Sequence, residues 1–284
     1  MAHTWGEDGT RIHYDVFGKA DGEPLLLVQG LGADRRGWIL QRRALGAKYR
    51  CYALDNRGVG KSDKPPGPYD LSMMARDAIA VLDDAGVDRA HVVGASMGGV
   101  ISQILGVLHA DRVRSLVLAC TACRQLPWRR ELLAEWAEQA ETHGMGAFVE
   151  RNARWLFGPR SFRRLRPFIG PVGGLALNAS PAAFLAQVQA ILDADESLRG
   201  ELRHITAPTL VLVGSQDILT PRGDSEELAA AIPGAQMAVV RGAAHGFMFE
   251  HASTFNRLVL EFLAGLDEPA PVAPPSPLGT PRVA

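Results

Sequence analysis

The sequence predicts an α/β domain built on a doubly wound, mostly parallel sheet flanked by helices. Three observations predict it. Short, continuous apolar runs recur along the 284 residues, among them "PLLLV" at 24–28, "HVVG" at 91–94 and "PTLVLVG" at 208–214. Runs of this kind belong to strands buried on both faces of a sheet. Segments with helical apolar spacing separate them, and strand–helix alternation winds a parallel sheet between two helical layers. Hydrophobic residues make up 47% of the chain and charged residues 21%, the composition of a globular chain long enough for one large core.

The elements follow in order. "HTW" and "RIHYDVF" flank the turn Glu7-Asp8-Gly9 and read as a hairpin. Further strands are expected over 24–28, 49–55, 91–94, 113–119, 208–214 and 235–241. A helix is expected over 70–86, opening on the capping Asp70 and closing at Gly86. Others are expected in "MGGVISQILGVLHA", "GDSEELAAAI" and "STFNRLVLEFLAGL". Residues 124–203 break the rhythm. They hold no clear strand, are rich in Arg, Trp, Phe, Leu and Ala, and carry runs such as "WRRELLAEWAEQAE". This reads as a helical insertion, too long for a bare loop, into a core formed by 1–123 and 204–266. From Asp267 the chain is Pro-rich and reads as an extended or disordered tail.

Composition limits the function classes. Thirty basic residues balance thirty-one acidic ones, so no net field points to nucleic acid. The N-terminus lacks the apolar stretch of a signal peptide, and no window reaches the ~18 apolar residues of a membrane span. The expected location is the cytoplasm. Three cysteines, Cys51, Cys120 and Cys123, are too few and too odd in number for a disulfide framework. Cys120 and Cys123 have the spacing of a redox or zinc pair, yet no second pair accompanies them, so free thiols are expected. No metal motif and no cofactor motif is present.

"DNRGVGKS" at 55–62 looks at first like the end of a phosphate-binding loop. The required earlier glycine is missing, because positions 55 and 56 are Asp and Asn, and the segment leads into "DKPPGPYD", not a helix. The anion-binding physics of a helix N-terminus is therefore absent. "VVGASMGG" at 92–99 is the informative stretch. A strand ends, Gly94-Ala95-Ser96-Met97-Gly98 follows, and a helix begins, which is G-x-S-x-G in its strand–turn–helix setting. The turn is expected to lift the Ser96 hydroxyl above the sheet and to leave the Met97 N–H at the helix start, aimed where an oxyanion would form. Serine needs a base, and the base an orienting carboxylate. "LVLVGSQDILTP" ends a strand in a loop with Asp217, and "VVRGAAHGF" ends the next in a loop with His245. The candidate catalytic set is Ser96, Asp217 and His245.

These motifs resemble those of serine hydrolases of the α/β-hydrolase fold, over residues 1 to about 266 outside the insertion. The resemblance implies an acyl-enzyme route on an ester or lactone, a second oxyanion donor at the Leu31 N–H, and a cap over the site formed by 124–203. It implies that Asp55, Arg57 and Ser62 brace the turn after the fourth strand. The segment "VQGLGADRRGW" departs from the His-Gly of many relatives by placing Gln29 before Gly30, and its G-x-G…W arrangement is similar to that of enol-lactonases and small esterases. Dehalogenases and epoxide hydrolases of this fold carry Asp where this chain has Ser96. A carbon–carbon bond hydrolase, a cofactor-free oxygenase, a perhydrolase side activity and a non-catalytic ligand receptor that keeps the three residues stay open. The substrate is expected to be a small molecule, with no nucleic acid or membrane partner. Aromatic residues of the insertion, Trp128, Trp136, Phe148, Trp155, Phe157, Phe162, Phe168 and Phe184, are expected to hold it together. Nine arginines against five glutamates between 124 and 166 leave a basic edge centred on "RSFRRLR" at 160–166.

Overall fold

The computed structural model describes residues 2–164, 166–167, 177–194 and 198–266. Eight strands form one sheet: β1 (Ala2–Trp5), β2 (Arg11–Gly18), β3 (Pro24–Val28), β4 (Arg50–Leu54), β5 (Ala90–Ala95), β6 (Val113–Ala119), β7 (Thr209–Gly214) and β8 (Gln236–Val240). Their spatial order is β1-β2-β4-β3-β5-β6-β7-β8. The first two strands form an antiparallel hairpin, β2 runs antiparallel to β4, and all later pairings are parallel. The expected strands all form, with ends shifted by at most a residue.

The apolar runs are continuous because alternate residues feed two different cores. In β3, Leu26 and Val28 point into one cluster while Leu25 and Leu27 point into the other. The first cluster lies under α2 (Leu71–Asp84), α3 (Met97–Leu108) and α6 (Arg222–Ala231); the second under α1 (Arg42–Gly46) and α7 (Ala252–Gly265). Asp70 caps α2 as expected, its carboxylate accepting from the Met73 N–H at 3.2 Å.

The insertion folds into two principal helices, α4 (Pro127–Leu156) and α5 (Pro181–Leu192), which pack on each other. Gly144, at φ 75° and ψ 167°, interrupts α4 with a conformation no other residue adopts cheaply. Isolated bridges join Ala33 to Leu177 and Val59 to Ala179, tying the insertion to the core loops. The three cysteines are buried and unpaired, and burial pushes the Cys51 thiol up to about 12 and the Cys123 thiol up to about 11. Phe168 and the Pro-rich segment from Asp267 lie outside the described residues. Among the described residues no helix is long and apolar enough to cross a membrane.

The strand order reverses direction at β3, which is flanked by β4 on one side and β5 on the other. In open α/β sheets ligands bind outside the carboxyl ends of the strands at such a switch point. The loops that leave β3 and β5 there carry Leu31 and Ser96.

Candidate active site

Ser96 follows β5 directly and has φ 55° and ψ −118°; among the described residues Cys120 is the other non-glycine with positive φ. This conformation is costly for an L-residue. Its neighbours over-determine it. The Ser96 N–H donates to the Ala119 carbonyl at 2.9 Å, and the Thr121 hydroxyl donates to the Ser96 carbonyl at 2.8 Å. A Cβ on Gly94 would strike Ser102 Oγ and the Gly98 carbonyl, and one on Gly98 would strike the Val28 carbonyl. The two flanking glycines are what allow strand, turn and helix to close so tightly.

The structure brings Ser96, Asp217 and His245 together across 149 residues of sequence. Ser96 Oγ lies 3.0 Å from His245 Nε2, and His245 Nδ1 lies 2.9 Å from Asp217 Oδ2. With Nδ1 protonated toward the carboxylate, Nε2 accepts the Ser96 hydroxyl proton. Asp217 is buried and held on every side. Its Oδ1 accepts from the Leu219 and Thr220 N–H groups, both at 2.9 Å, and its Oδ2 accepts from the Thr220 hydroxyl at 2.8 Å. Thr220 was not legible as a site residue, although the "DILTP" spacing that puts it three residues after the acid is the signal that marks it. Cys120 also lines the site, and burial raises its thiol well above the ordinary value.

Leu31 and Met97 both line the site, and the N–H of neither donates to an acceptor among the described residues. Around them lies a cavity of about 700 Å³. The core contributes Ser96, His245, Leu219 and Met248 to its wall, and the insertion contributes Leu133, Trp136, Val149, Ala153 and Leu177. Three aromatic residues of the insertion hold it together, as expected, and face the cavity as well. Trp136 meets Phe148 edge-on at 5.6 Å, Phe148 meets Phe184 at 4.8 Å, and all three also line the cavity.

Both ends of α4 are clasped to the loops that carry Asp217 and His245. Near its start, buried Arg129 donates to the Leu219 carbonyl at 3.3 Å and pairs with Asp224 at 2.7 Å. At its end, the Gly246 N–H donates to the Leu156 carbonyl at 2.6 Å. Glu250 bridges the same junction, accepting from the Gly158 N–H at 2.9 Å and the Ala244 N–H at 3.0 Å. Glu250 is absent from the sequence reading because nothing local distinguishes it from any exposed glutamate.

The "DNRGVGKS" loop is a brace, as expected. Asp55 accepts from the Arg35 and Lys61 N–H groups, each at 2.8 Å, and the Ser62 hydroxyl donates to the Asp55 carbonyl at 2.6 Å. Arg57 is buried between Asp77 and Asp8, and its hydrogen bond holds the Asp8 carboxyl far below the usual range.

The chain belongs to the alpha/beta hydrolase fold family, whose profile matches residues 23–252. It is 30% identical over 282 residues to RutD of Azorhizobium caulinodans, a protein with a provisional carbamate hydrolase name, covering 94% of this chain and 100% of that one. The enol-lactonase from Burkholderia xenovorans superimposes with a TM-score of 0.85 at 30% identity, covering 93% of this chain and 100% of its own. A thermophilic esterase from Thermogutta terrifontis, solved with malate bound, gives a TM-score of 0.85 at 27% identity over 94% of this chain and 99% of its own. The expected fold is thus that of a family whose relatives carry hydrolase names.

The packing at the turn generates a stability test. Gly98→Ala should lower the unfolding free energy in urea by about 3 kcal/mol, because backbone carbonyls of the β3 loop cannot retreat. Gly146→Ala, where the added carbon meets nothing within 4 Å, should be neutral or slightly stabilising. Equal stability of the two variants would show that the turn has room to spare.

Proposed function

We propose that this chain is a serine hydrolase that cleaves a carboxylic ester or lactone of a small, mostly apolar molecule through an acyl-enzyme on Ser96. The observation that carries the reading is the run of contacts from Ser96 Oγ to His245 to Asp217 at the wall of a cavity of about 700 Å³. Carbamates, lactones and esters share an acyl carbon bonded to a heteroatom leaving group, so the names of the relatives are consistent with this chemistry. In this reading residues 124–203 act as a cap over the core, and no cofactor is required.

The steps follow from the arrangement. The substrate carbonyl docks beside Ser96, and His245 Nε2 takes the hydroxyl proton as Oγ attacks. Asp217 keeps the imidazole in the required tautomer and stabilises the imidazolium. The Leu31 and Met97 N–H groups receive the developing oxyanion; a donor of this kind is worth about 3 kcal/mol of barrier. His245 then gives its proton to the leaving oxygen. Water, deprotonated by the same imidazole, releases the acid and restores Ser96. The Ser96–His245 contact of 3.0 Å is the one this acylation route requires.

Of the nine arginines between 124 and 166, Arg124 pairs with Glu227 and Arg129 with Asp224. Arg160, Arg163, Arg164 and Arg166 are exposed, and Arg164 reaches the cavity wall beside Ser161. A basic rim there draws in an anionic acyl ester or lactone, an effect that salt screens over a Debye length of ~10 Å at 0.1 M.

Two measurements test the proposal. On a panel of p-nitrophenyl esters and lactones, Ser96→Ala and His245→Ala should each lose roughly 10³-fold or more in kcat while keeping the wild-type circular dichroism. Wild-type turnover by folded Ser96→Ala would end the assignment. Raising salt should lower kcat/KM for a carboxylate-bearing ester and leave a neutral ester of matched size unchanged, and a double Arg163→Gln, Arg164→Gln variant should abolish the difference. An equal salt response by both substrates would reduce the basic edge to ordinary surface and direct the search to neutral esters.

A further inference from the structure

The loop after β3 disposes of its N–H groups one at a time. The Gly30 N–H donates to Gln29 Oε1 at 3.2 Å, the Gly32 N–H to Gln187 Oε1 at 2.8 Å, and the Ala33 N–H to the Gly30 carbonyl at 3.2 Å. Between two amides held by glutamine side chains, Leu31 is left with its N–H uncommitted among the described residues. Gln187 is fully buried and comes from α5 of the insertion, 155 residues away from Gly32. Its other end is also fixed, because Nε2 donates to the Arg57 carbonyl at 2.8 Å. Gln29 is held too, by a 3.9 Å contact from Nε2 to Met248 Sδ and by Gly37, where an added Cβ would collide with its amide.

The physical need for two anchors lies in the backbone they hold. Gly30 and Gly32 are the softest residues a chain offers, and Gly32 sits at φ 70°. Neither can be replaced without cost: a Cβ on Gly30 would press on Ser96 at 3.0 Å, and one on Gly32 would press on Phe184 at 3.1 Å. The close approach to Ser96 demands glycine, and glycine leaves the peptide planes on both sides of Leu31 free to turn. Hydrogen bonds to the amides at 30 and 32 remove that freedom. They also consume those two donors, which leaves the Leu31 N–H as the one uncommitted amide of residues 30–33 among the described residues.

We infer that Gln187, with Gln29, is a positioning residue for the oxyanion hole, and that α5 thereby sets the direction of the Leu31 N–H. The inference rests on the serine hydrolase reading above. It gives Gln29 a purpose in a loop where the resemblance leads one to expect histidine. It also makes the insertion a part of the transition-state machinery as well as a wall for the substrate. Neither glutamine touches the reacting atoms; each acts through the backbone.

The test separates positioning from general support. Gln187→Met keeps the volume and removes both hydrogen bonds. Gln187→Glu keeps an acceptor for the Gly32 N–H, and it stands in if the Met variant does not fold. Each is assayed on a p-nitrophenyl ester and titrated with a phenylboronic acid, whose tetrahedral adduct on Ser96 places an oxygen in the hole. For Gln187→Met, kcat should fall roughly 10- to 100-fold, with KM changed less than about threefold. Boronate affinity should fall by a similar factor, and Gln187→Glu should fall between Met and wild type. Wild-type kcat in the Met variant, or a loss carried wholly in KM with boronate affinity intact, would overturn the positioning role and leave the reaction class standing. A wild-type protein that neither hydrolyses esters nor binds boronate would overturn both.

Discussion

The site depends on one backbone conformation, the positive φ of Ser96 between β5 and α3. It is affordable only where the surroundings leave no relaxed alternative. Gly94 and Gly98 let the helix start so close to the β3 loop that a single added carbon would collide with a carbonyl. The bonds from Ala119 and Thr121 then fix both sides of the serine peptide. The strain is used twice. It holds the hydroxyl 3.0 Å from His245 Nε2, and it lets α3 begin at the next residue, Met97, which lines the same cavity. In that setting a helix N-terminus supplies a donor without any side chain.

The insertion is the second structural theme. A helical layer over a pocket can be a loose lid, yet here it is bonded to three of the loops that carry candidate site residues, those of Asp217, His245 and Leu31. Arg129 grips the Asp217 loop, the junction around Leu156 and Glu250 grips the His245 loop, and Gln187 grips the loop of Leu31. Those bonds are made by buried or half-buried groups, where an unsatisfied partner is expensive. The insertion and the loops of Asp217, His245 and Leu31 are therefore held as one packed unit.

Much of the fold was legible in the sequence, and the reason is burial on both faces. A run such as "PLLLV" has no polar residue to blur its ends once the sheet is covered twice, and β3 occupies those five residues. Ser96, Asp217 and His245 were legible because each follows a strand, so chain order and strand ends locate them without knowledge of packing. The insertion was legible only as helical. The length of α4 is hidden because its sequence faces α5 on one side and the cavity on another, so no single apolar stripe dominates, and Gly144 breaks it midway. Glu250 and Gln187 act through contacts that only the folded chain creates, whereas the contact of Thr220 with Asp217 spans three residues. Gln29 was visible as a departure, but what it does depends on the amide next to it and on Met248 far along the chain.

The central claim is that Ser96 is the one nucleophile, made so by His245. The most direct measurement is incubation with a fluorophosphonate probe followed by peptide mass mapping. The account predicts one adduct per chain, on the peptide containing Ser96, with loss of activity in proportion to labelling and almost no labelling of His245→Ala. An adduct on another residue, or full activity in a protein labelled at Ser96, would contradict it.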